Sequence, residues 1–284
     1  MNLFVFGLGY SARQYLDRFG GGLARVCGTV RSPDRAGRTH SGCELLRLAP
    51  DGADPAIAGR LAEADLLLVS VPPDADGDPV LARFAAPIAA SPIRRIVYLS
   101  TVGVYRDHQG QWIDESAPLA LEAGRRRRRA DAEAAWRRLA PERTSILRLA
   151  GIYGPGRNAL VNLRAGTARR IVKPGQVFNR IHVADVAQAI AAAFAHERTG
   201  VWNVCDDEPA PPQDVVSFAA TLLGVAPPPA VDFADAELGA MARSFYATSN
   251  RVSNAAMKRD LQVALACPTY REGLTALYRD GEGR

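Results

Sequence analysis

The sequence predicts an α/β chain, a doubly wound parallel sheet with a smaller C-terminal unit. Three observations carry this. Short aliphatic or β-branched runs alternate with helical patterns through the first half, the mark of βαβ units. The run Leu66 to Val71 is nearly all apolar, as a strand covered on both faces must be. After Ala150 the texture changes to loops punctuated by glycine and proline.

In chain order the strands are expected at Asn2–Gly7, Ala24–Val30, Glu44–Leu48, Asp65–Val71, Arg94–Ser100 and Thr144–Ala150, with helices around Tyr10–Phe19, Val80–Ala90 and Arg126–Ala140. Beyond the loops of Gly151–Gly175 come a helix from about Ala184 to His196 and a strand, Val201–Cys205. Pro209, Pro211 and Pro212 precede another helix, with Asp214 as its expected N-cap and Gly224 near its end. The dinucleotide-binding domain is expected to take residues 1–151 and 181–205. A substrate domain would take 152–180 and 206–284, packed over the carboxyl edge of the sheet, where open α/β sheets bind ligands.

With 284 residues, 48% hydrophobic and 23% charged, the chain is neither fibrous nor disordered. No apolar run reaches the ~18 residues of a membrane span. The start runs directly from Met1 into a strand, and the four cysteines, Cys27, Cys43, Cys205 and Cys267, form no CxxC pair. A cytoplasmic protein with reduced thiols, no metal site and no membrane partner is therefore expected. The net charge of +5 comes from arginine, since only Lys173 and Lys258 are lysines among 35 basic residues. These residues are not interleaved with aromatics as a nucleic-acid surface requires, so no nucleic-acid partner is expected.

The first chemical motif is Gly7-Leu8-Gly9-Tyr10-Ser11-Ala12, a GxGxxA that closes a strand and opens a helix. Gly7 permits the tight turn and Gly9 the approach of a pyrophosphate. Ala12 lets helix and strand pack closely, and the N–H groups of Tyr10, Ser11 and Ala12 face the anion. That context makes the sheet Rossmann-type. An NAD enzyme places Asp or Glu at the tip of the second strand, about 20 residues on. Here Arg31 and Ser32 stand there. A guanidinium can pair with a 2′-phosphate, so the residues favour NADP over NAD; the bland alternative is a solvated loop arginine.

Five segments then carry a resemblance: VFGLGYSA, ADLLLVSVPP, IVYLSTVGVY, LRLAGIYGPGR and RIHVADVAQAI, with PTYREGL closing the chain. Together they resemble the extended and atypical short-chain dehydrogenase/reductases, in the NAD-dependent epimerase/dehydratase-like branch. The resemblance implies an oxidoreductase or epimerase, with nucleotide sugars as one possible substrate class. It implies a catalytic role for Thr101, three positions before Val104-Tyr105, unless that hydroxyl merely closes its own turn. It also sets Val71, Pro72, Ser100 and Gly151 beside the cofactor, mostly through backbone, and makes His182 and Asp185 structural.

The family's Tyr-x-x-x-Lys pair is where the sequence departs. Aligning Ala132-Glu133 with the small residue and Glu that normally follow puts Arg125 at the tyrosine position and Arg129 at the lysine position. Arginine stays protonated and cannot shuttle a proton. The stripe Ala132, Ala135, Trp136, Leu139, extended backwards, runs through Arg129, Arg128 and Arg125. Arg125 and Arg129 are therefore expected to face the cleft and an anionic small molecule, and Arg126 and Arg127 to face water; a wholly solvated basic helix start is the alternative. Tyr105 and Tyr153 are the tyrosines expected in cleft-forming segments. A non-catalytic NADP-binding sensor or regulator is the rival function, and the oligomeric state is left open.

Overall fold

The computed structural model describes residues 1–37, 39–40, 42–120 and 122–283. The first half runs β1 (Asn2–Phe6), α1 (Tyr10–Phe19), β2 (Arg25–Val30), β3 (Thr39–His40), β4 (Cys43–Ala49), β5 (Gly52–Ala53), α2 (Ala56–Ala62), β6 (Leu66–Val69), α3 (Leu81–Ala89), β7 (Arg95–Thr101), β8 (Trp112–Ile113), α4 (Arg125–Leu139) and β9 (Thr144–Leu149). The second half runs β10 (Gly151–Tyr153), α5 (Ala159–Arg164), β11 (Arg170–Val172), β12 (Arg180–His182), α6 (Val183–Ala195), β13 (Val201–Val204), α7 (Pro212–Leu223), β14 (Ala230–Asp232), α8 (Ala240–Phe245), β15 (Arg251–Val252), α9 (Ala255–Leu261) and α10 (Tyr270–Arg279).

The main sheet has the order β13-β9-β7-β6-β1-β2-β4-β3, with β5 on β4. All pairings are parallel except those of β3 and β5 with β4. From β1 the chain builds one way through β2 and β4, then returns to the other side with β6, β7, β9 and β13. The reversal between β1 and β6 leaves a crevice at their carboxyl ends, which is where this topology binds ligands.

Alternation along each strand divides the core in two. Leu3, Val5, Val97 and Leu99 face α1 and α6, meeting Ala12, Leu16, Val186 and Ile190. Phe4, Phe6, Leu67, Val69 and Tyr98 face the other way, onto Ile57, Phe84, Ile88 and Trp136 of α2, α3 and α4. The α4 stripe does face the sheet: Trp136 is fully buried and its ring centroid lies 6.0 Å from that of Tyr98.

Two smaller apolar clusters lie in the C-terminal part. One joins Leu160, Val215, Ala219, Leu274 and Leu277, and the other Ile171, Ala236 and Tyr246. The helix expected to be capped by Asp214 starts three residues earlier. Pro211 is the N-cap and Pro212 the first helical residue, and Asp214 sits in the first turn. A proline is favoured at that position because its missing N–H would be unpaired anyway. Among the described residues, no helix is long and apolar enough to cross a membrane.

Candidate active site

β1 ends in a turn that only glycine can make. Gly7 has φ +87°, and a Cβ there would lie 2.9 Å from Val71 Cγ2 and 3.0 Å from Ser70 Oγ. The turn is pinned on both sides. Gly7 N–H donates to Thr29 Oγ1 at 2.9 Å, Leu8 N–H to Thr29 O at 2.8 Å, and Ser70 Oγ donates to Gly7 O at 2.5 Å. At exposed Gly9, by contrast, a Cβ would meet nothing nearer than Gly7 O at 4.0 Å. The first turn of α1 has no side-chain cap and no acidic residue, so the N–H groups of Tyr10, Ser11 and Ala12 have no intrahelical acceptor. Fully buried Ala12 keeps the helix close to the sheet. An open approach and free N–H groups fit a pyrophosphate.

Arg31 is exposed at the end of β2 and half-buried Ser32 follows it; neither side chain has a hydrogen-bond or ion-pair partner among the described residues. Val71 flanks the glycine turn and Pro72 is exposed beside it. Sequence reasoning overlooked Arg13, whose Nε donates to Leu8 O at 3.3 Å. Burial, then the positive charge of Arg35, push the Arg13 guanidinium below its usual value. Arg13 and Arg35 thus bring further positive charge to the glycine turn and the end of β2.

Beyond the carboxyl ends of β7 and β9 lies a cleft of about 1050 Å³. Thr101, Gly151 and Tyr153 line it, and its charged lining residues are Arg157 and Arg180. Thr101 Oγ1 accepts from Gly103 N–H at 3.1 Å, closing its own turn, and the hydroxyl keeps its proton free to donate. Gly151 N–H donates to Asn179 O at 3.0 Å. Tyr10 links the two sites: its hydroxyl donates to Pro155 O at 3.0 Å, against the loop that carries Arg157. Burial raises the Tyr10 hydroxyl above its ordinary value, with Arg157 opposing.

No family model matches the chain. Over 194 residues it is 30% identical to Protein YeeZ of Escherichia coli strain K12, covering 65% of this chain and 69% of that one. A solved structure of a functionally unknown conserved protein from Silicibacter pomeroyi DSS is 48% identical, with a TM-score of 0.89 and 99% of both chains covered. The human epimerase family protein SDR39U1, solved with NADPH, shares the fold at 17% identity and a TM-score of 0.73, over 99% of this chain and 100% of that one. The chain belongs to the NAD-dependent epimerase/dehydratase-like short-chain dehydrogenase/reductases.

In this epimerase/dehydratase-like protein the arginine run lies differently from the periodicity alone. Arg129, half-buried, donates through Nη1 to Tyr98 Oη at 3.1 Å and Leu99 O at 3.2 Å. Arg125 is exposed, its guanidinium 5.9 Å from the Phe245 ring centroid at the cleft mouth. Arg127 pairs with Asp131 at 2.8 Å on the surface. Arg126 was expected to face water, and this is corrected: its Nη2 lies 3.5 Å from both Ser244 O and Thr248 Oγ1. The reason is that α8 and the residues after it cover this side of the helix start.

The epimerase/dehydratase-like sheet also buries a network that the sequence did not disclose. Arg148 of β9 meets Glu133 of α4 at 2.8 Å, and Arg148 Nη1 donates to Tyr105 Oη at 2.8 Å. Tyr105 in turn donates to Asn203 Oδ1 at 2.7 Å. Tyr105 is therefore locked in the interior and does not line the cleft. Ser100 is buried too, and its hydroxyl donates to Glu133, so only its backbone is left to meet a cofactor. Tyr246 and Tyr270, which sequence reasoning missed, line the cleft with Tyr153.

Three potential metal ligands, His182, Asp185 and Cys267, come within 4.8 Å of one another. His182 Nδ1 accepts from Ala184 N–H at 3.2 Å, which puts the ring proton on Nε2. Asp185 accepts from the N–H groups of Ala266 and Cys267 at 2.7 and 3.1 Å. These residues fasten the start of α6 to the chain before α10, in keeping with a structural role.

Proposed function

We propose that the protein is an NADP-dependent oxidoreductase of epimerase-like type, acting on an anionic small molecule without a Tyr-x-x-x-Lys pair. The observation that carries this is the pairing of two sites. The glycine turn joins through Tyr10 to a cleft lined by Thr101, in which the charged lining groups are two arginines. Residues 1–151 and 181–205 would hold the dinucleotide, and 152–180 with 206–284 the substrate. The separate apolar clusters of the second group support that division.

The bound nicotinamide would supply hydride acceptance and return. Gly7, Gly9 and the N–H groups of Tyr10, Ser11 and Ala12 would hold the pyrophosphate, with Val71, Pro72, Ser100 and Gly151 along the cofactor. Arg31 and Ser32, with Arg13 and Arg35 near the glycine turn, favour a 2′-phosphate and hence NADP over NAD. Thr101 would donate its free proton to a substrate oxygen. Arg125 and Arg129 would contribute charge but no proton transfer.

Two observations favour a second reading, a non-catalytic NADP-binding sensor or regulator. Thr101 closes its own turn, and α4 contains neither tyrosine nor lysine. A nicotinamide-fluorescence titration followed by a turnover screen decides. NADPH binding with turnover supports the enzyme; tight binding without turnover supports the sensor. Absence of NADPH binding overturns both.

A further inference from the structure

The cleft wall contains a positive charge that has no ion-pair partner among the described residues. The guanidinium of Arg180 lies deep in the protein, yet the residue keeps part of its surface open to the cleft. Its Nη1 donates to two carbonyls, Phe178 O at 2.9 Å and Ala210 O at 3.0 Å. Its Cζ lies 5.9 Å from the Tyr270 ring centroid. Among the described residues no carboxylate reaches ion-pair distance, and Nε and Nη2 have no acceptor. A buried charge of this kind is costly unless something supplies an anion.

Asp206 and, more weakly, Glu208 act on the Arg180 charge only from beyond ion-pair distance. Asp206 is buried, its Oδ2 has no partner, and burial pushes its carboxyl up to about 8. Burial and the charge of Arg180 thus act on this carboxyl in opposite directions, and it stays beyond ion-pair distance of the guanidinium. Three cleft-lining tyrosines sense the Arg180 charge, Tyr153, Tyr246 and Tyr270; Tyr153 donates to Thr269 O at 3.3 Å, which leaves Tyr246 and Tyr270. Neither hydroxyl donates to a protein acceptor among the described residues. A guanidinium with two free phenol donors is a cradle for a carboxylate.

The rest of the wall is of another character. Ile171, Val177, Leu238, Met241 and Phe245 face the same space, and Met241 and Phe245 are 64% and 56% exposed at its mouth. A nucleotide sugar carries a diphosphate and many hydroxyls, which aliphatic side chains would desolvate without pairing. We propose that the cleft takes an organic carboxylate with an apolar body, its acid group held by Arg180, Tyr246 and Tyr270. The apolar body lies against the five side chains just named. This rests on the reading that the cleft is the substrate site of an NADP enzyme, and it narrows that substrate to a class.

The test is calorimetric titration of the full chain, saturated with NADPH, with trans-cinnamate, its neutral analogue cinnamyl alcohol, and UDP-glucose. Cinnamate should bind at least about tenfold more tightly than the alcohol, the effect of one charge-assisted hydrogen bond, and more tightly than UDP-glucose. Arg180→Gln should abolish the preference for the acid while alcohol binding persists. Should that variant not fold, Tyr246→Phe must reduce the acid preference severalfold, and Phe245→Ser must weaken acid and alcohol alike. Equal binding of acid and alcohol, tighter binding of UDP-glucose, or an acid preference that survives these variants would overturn the assignment. NADPH affinity is measured separately by nicotinamide fluorescence. Its absence would sink the oxidoreductase reading, and the carboxylate test would still be read on the dinucleotide-free protein.

Discussion

Arg148 Nη2 and Glu133 Oε2 lie 2.8 Å apart with only 6% and 5% of their side chains open to water, and the pair ties α4 to β9 behind the cleft. Ser100 and Tyr105 add hydrogen bonds to it. Such a pair is weak support for stability against an apolar alternative, but breaking it leaves one buried charge alone. Glu133→Ala should therefore cost about 3–5 kcal/mol. Arg148→Met combined with Glu133→Leu should cost much less than the two single changes summed. Urea denaturation of the wild type, Glu133→Ala, Glu133→Leu, Arg148→Met and the double variant measures both. A Glu133→Ala protein as stable as the wild type would show that water, not Glu133, compensates Arg148.

Cofactor choice is read at the end of β2. Arg31→Ala should weaken NADPH binding by about 1.5–3 kcal/mol, the worth of a hydrogen bond to a charged group, and leave NADH unchanged. Fluorescence titration with both dinucleotides is the measurement. Equal weakening of the two would remove the 2′-phosphate role from Arg31.

Chemistry should be slow in the wild-type protein. A positioned proton donor typically contributes about 10²–10⁴ in rate, and neither Arg125 nor Arg129 can act as one. Arg125→Tyr with Arg129→Lys should raise any residual carbonyl reduction, since Arg129 already reaches toward the end of β7. A fast wild-type rate that collapses on Tyr153→Phe would instead show a site rebuilt around a different acid.

Asp206 makes stability depend on pH in a definite direction. Its carboxyl titrates near 8 in the folded chain because burial disfavours its charge, and near 3.9 when unfolded. Between those values the folded state holds a proton that the unfolded state has released. Stability from this group is fully present below about 4, falls as pH rises, and is lost above about 8, with a slope of at most about 1.4 kcal/mol per pH unit. Asp206→Asn should flatten that fall, so its advantage over wild type should grow from pH 5 to pH 8 in urea melts. A constant difference across the range would contradict the shift.

Much of the sheet is legible in the sequence because its strands are buried on both faces. Leu66 to Val69 is fully buried, and the run of apolar residues announces it. The glycine turn is legible for the same local reason: strand, turn and helix are contiguous. What escaped was assembled from distant segments. Ala56–Ala62 forms α2 without a distinctive stripe, and β3, β5, β8 and β15 are two-residue pairings whose partners alone define them. Helical periodicity told which side of α4 meets the sheet, but not that residues 244–248 would cover its start and take up Arg126. Tyr246 and Tyr270 reach the cleft only through the packing of the C-terminal elements, and Glu133 was read as a family marker where it is an interior charge.

The placing of β13 beside β9 also bears on how the protein can be made. Residues 150–200 separate the two strands in the chain, and β13 forms the end of the sheet. A nascent chain that has reached Leu149 presents β9 as a bare edge, with unpaired N–H and C=O groups along Thr144–Leu149. Only when Val204 has left the ribosome can that edge be sealed. Until then it is a template for strand pairing with a neighbour. A shortened fragment ending near Gly151 would keep the glycine turn and still carry this open edge permanently, which makes it a poor vehicle for studying dinucleotide binding and a ready seed for aggregation.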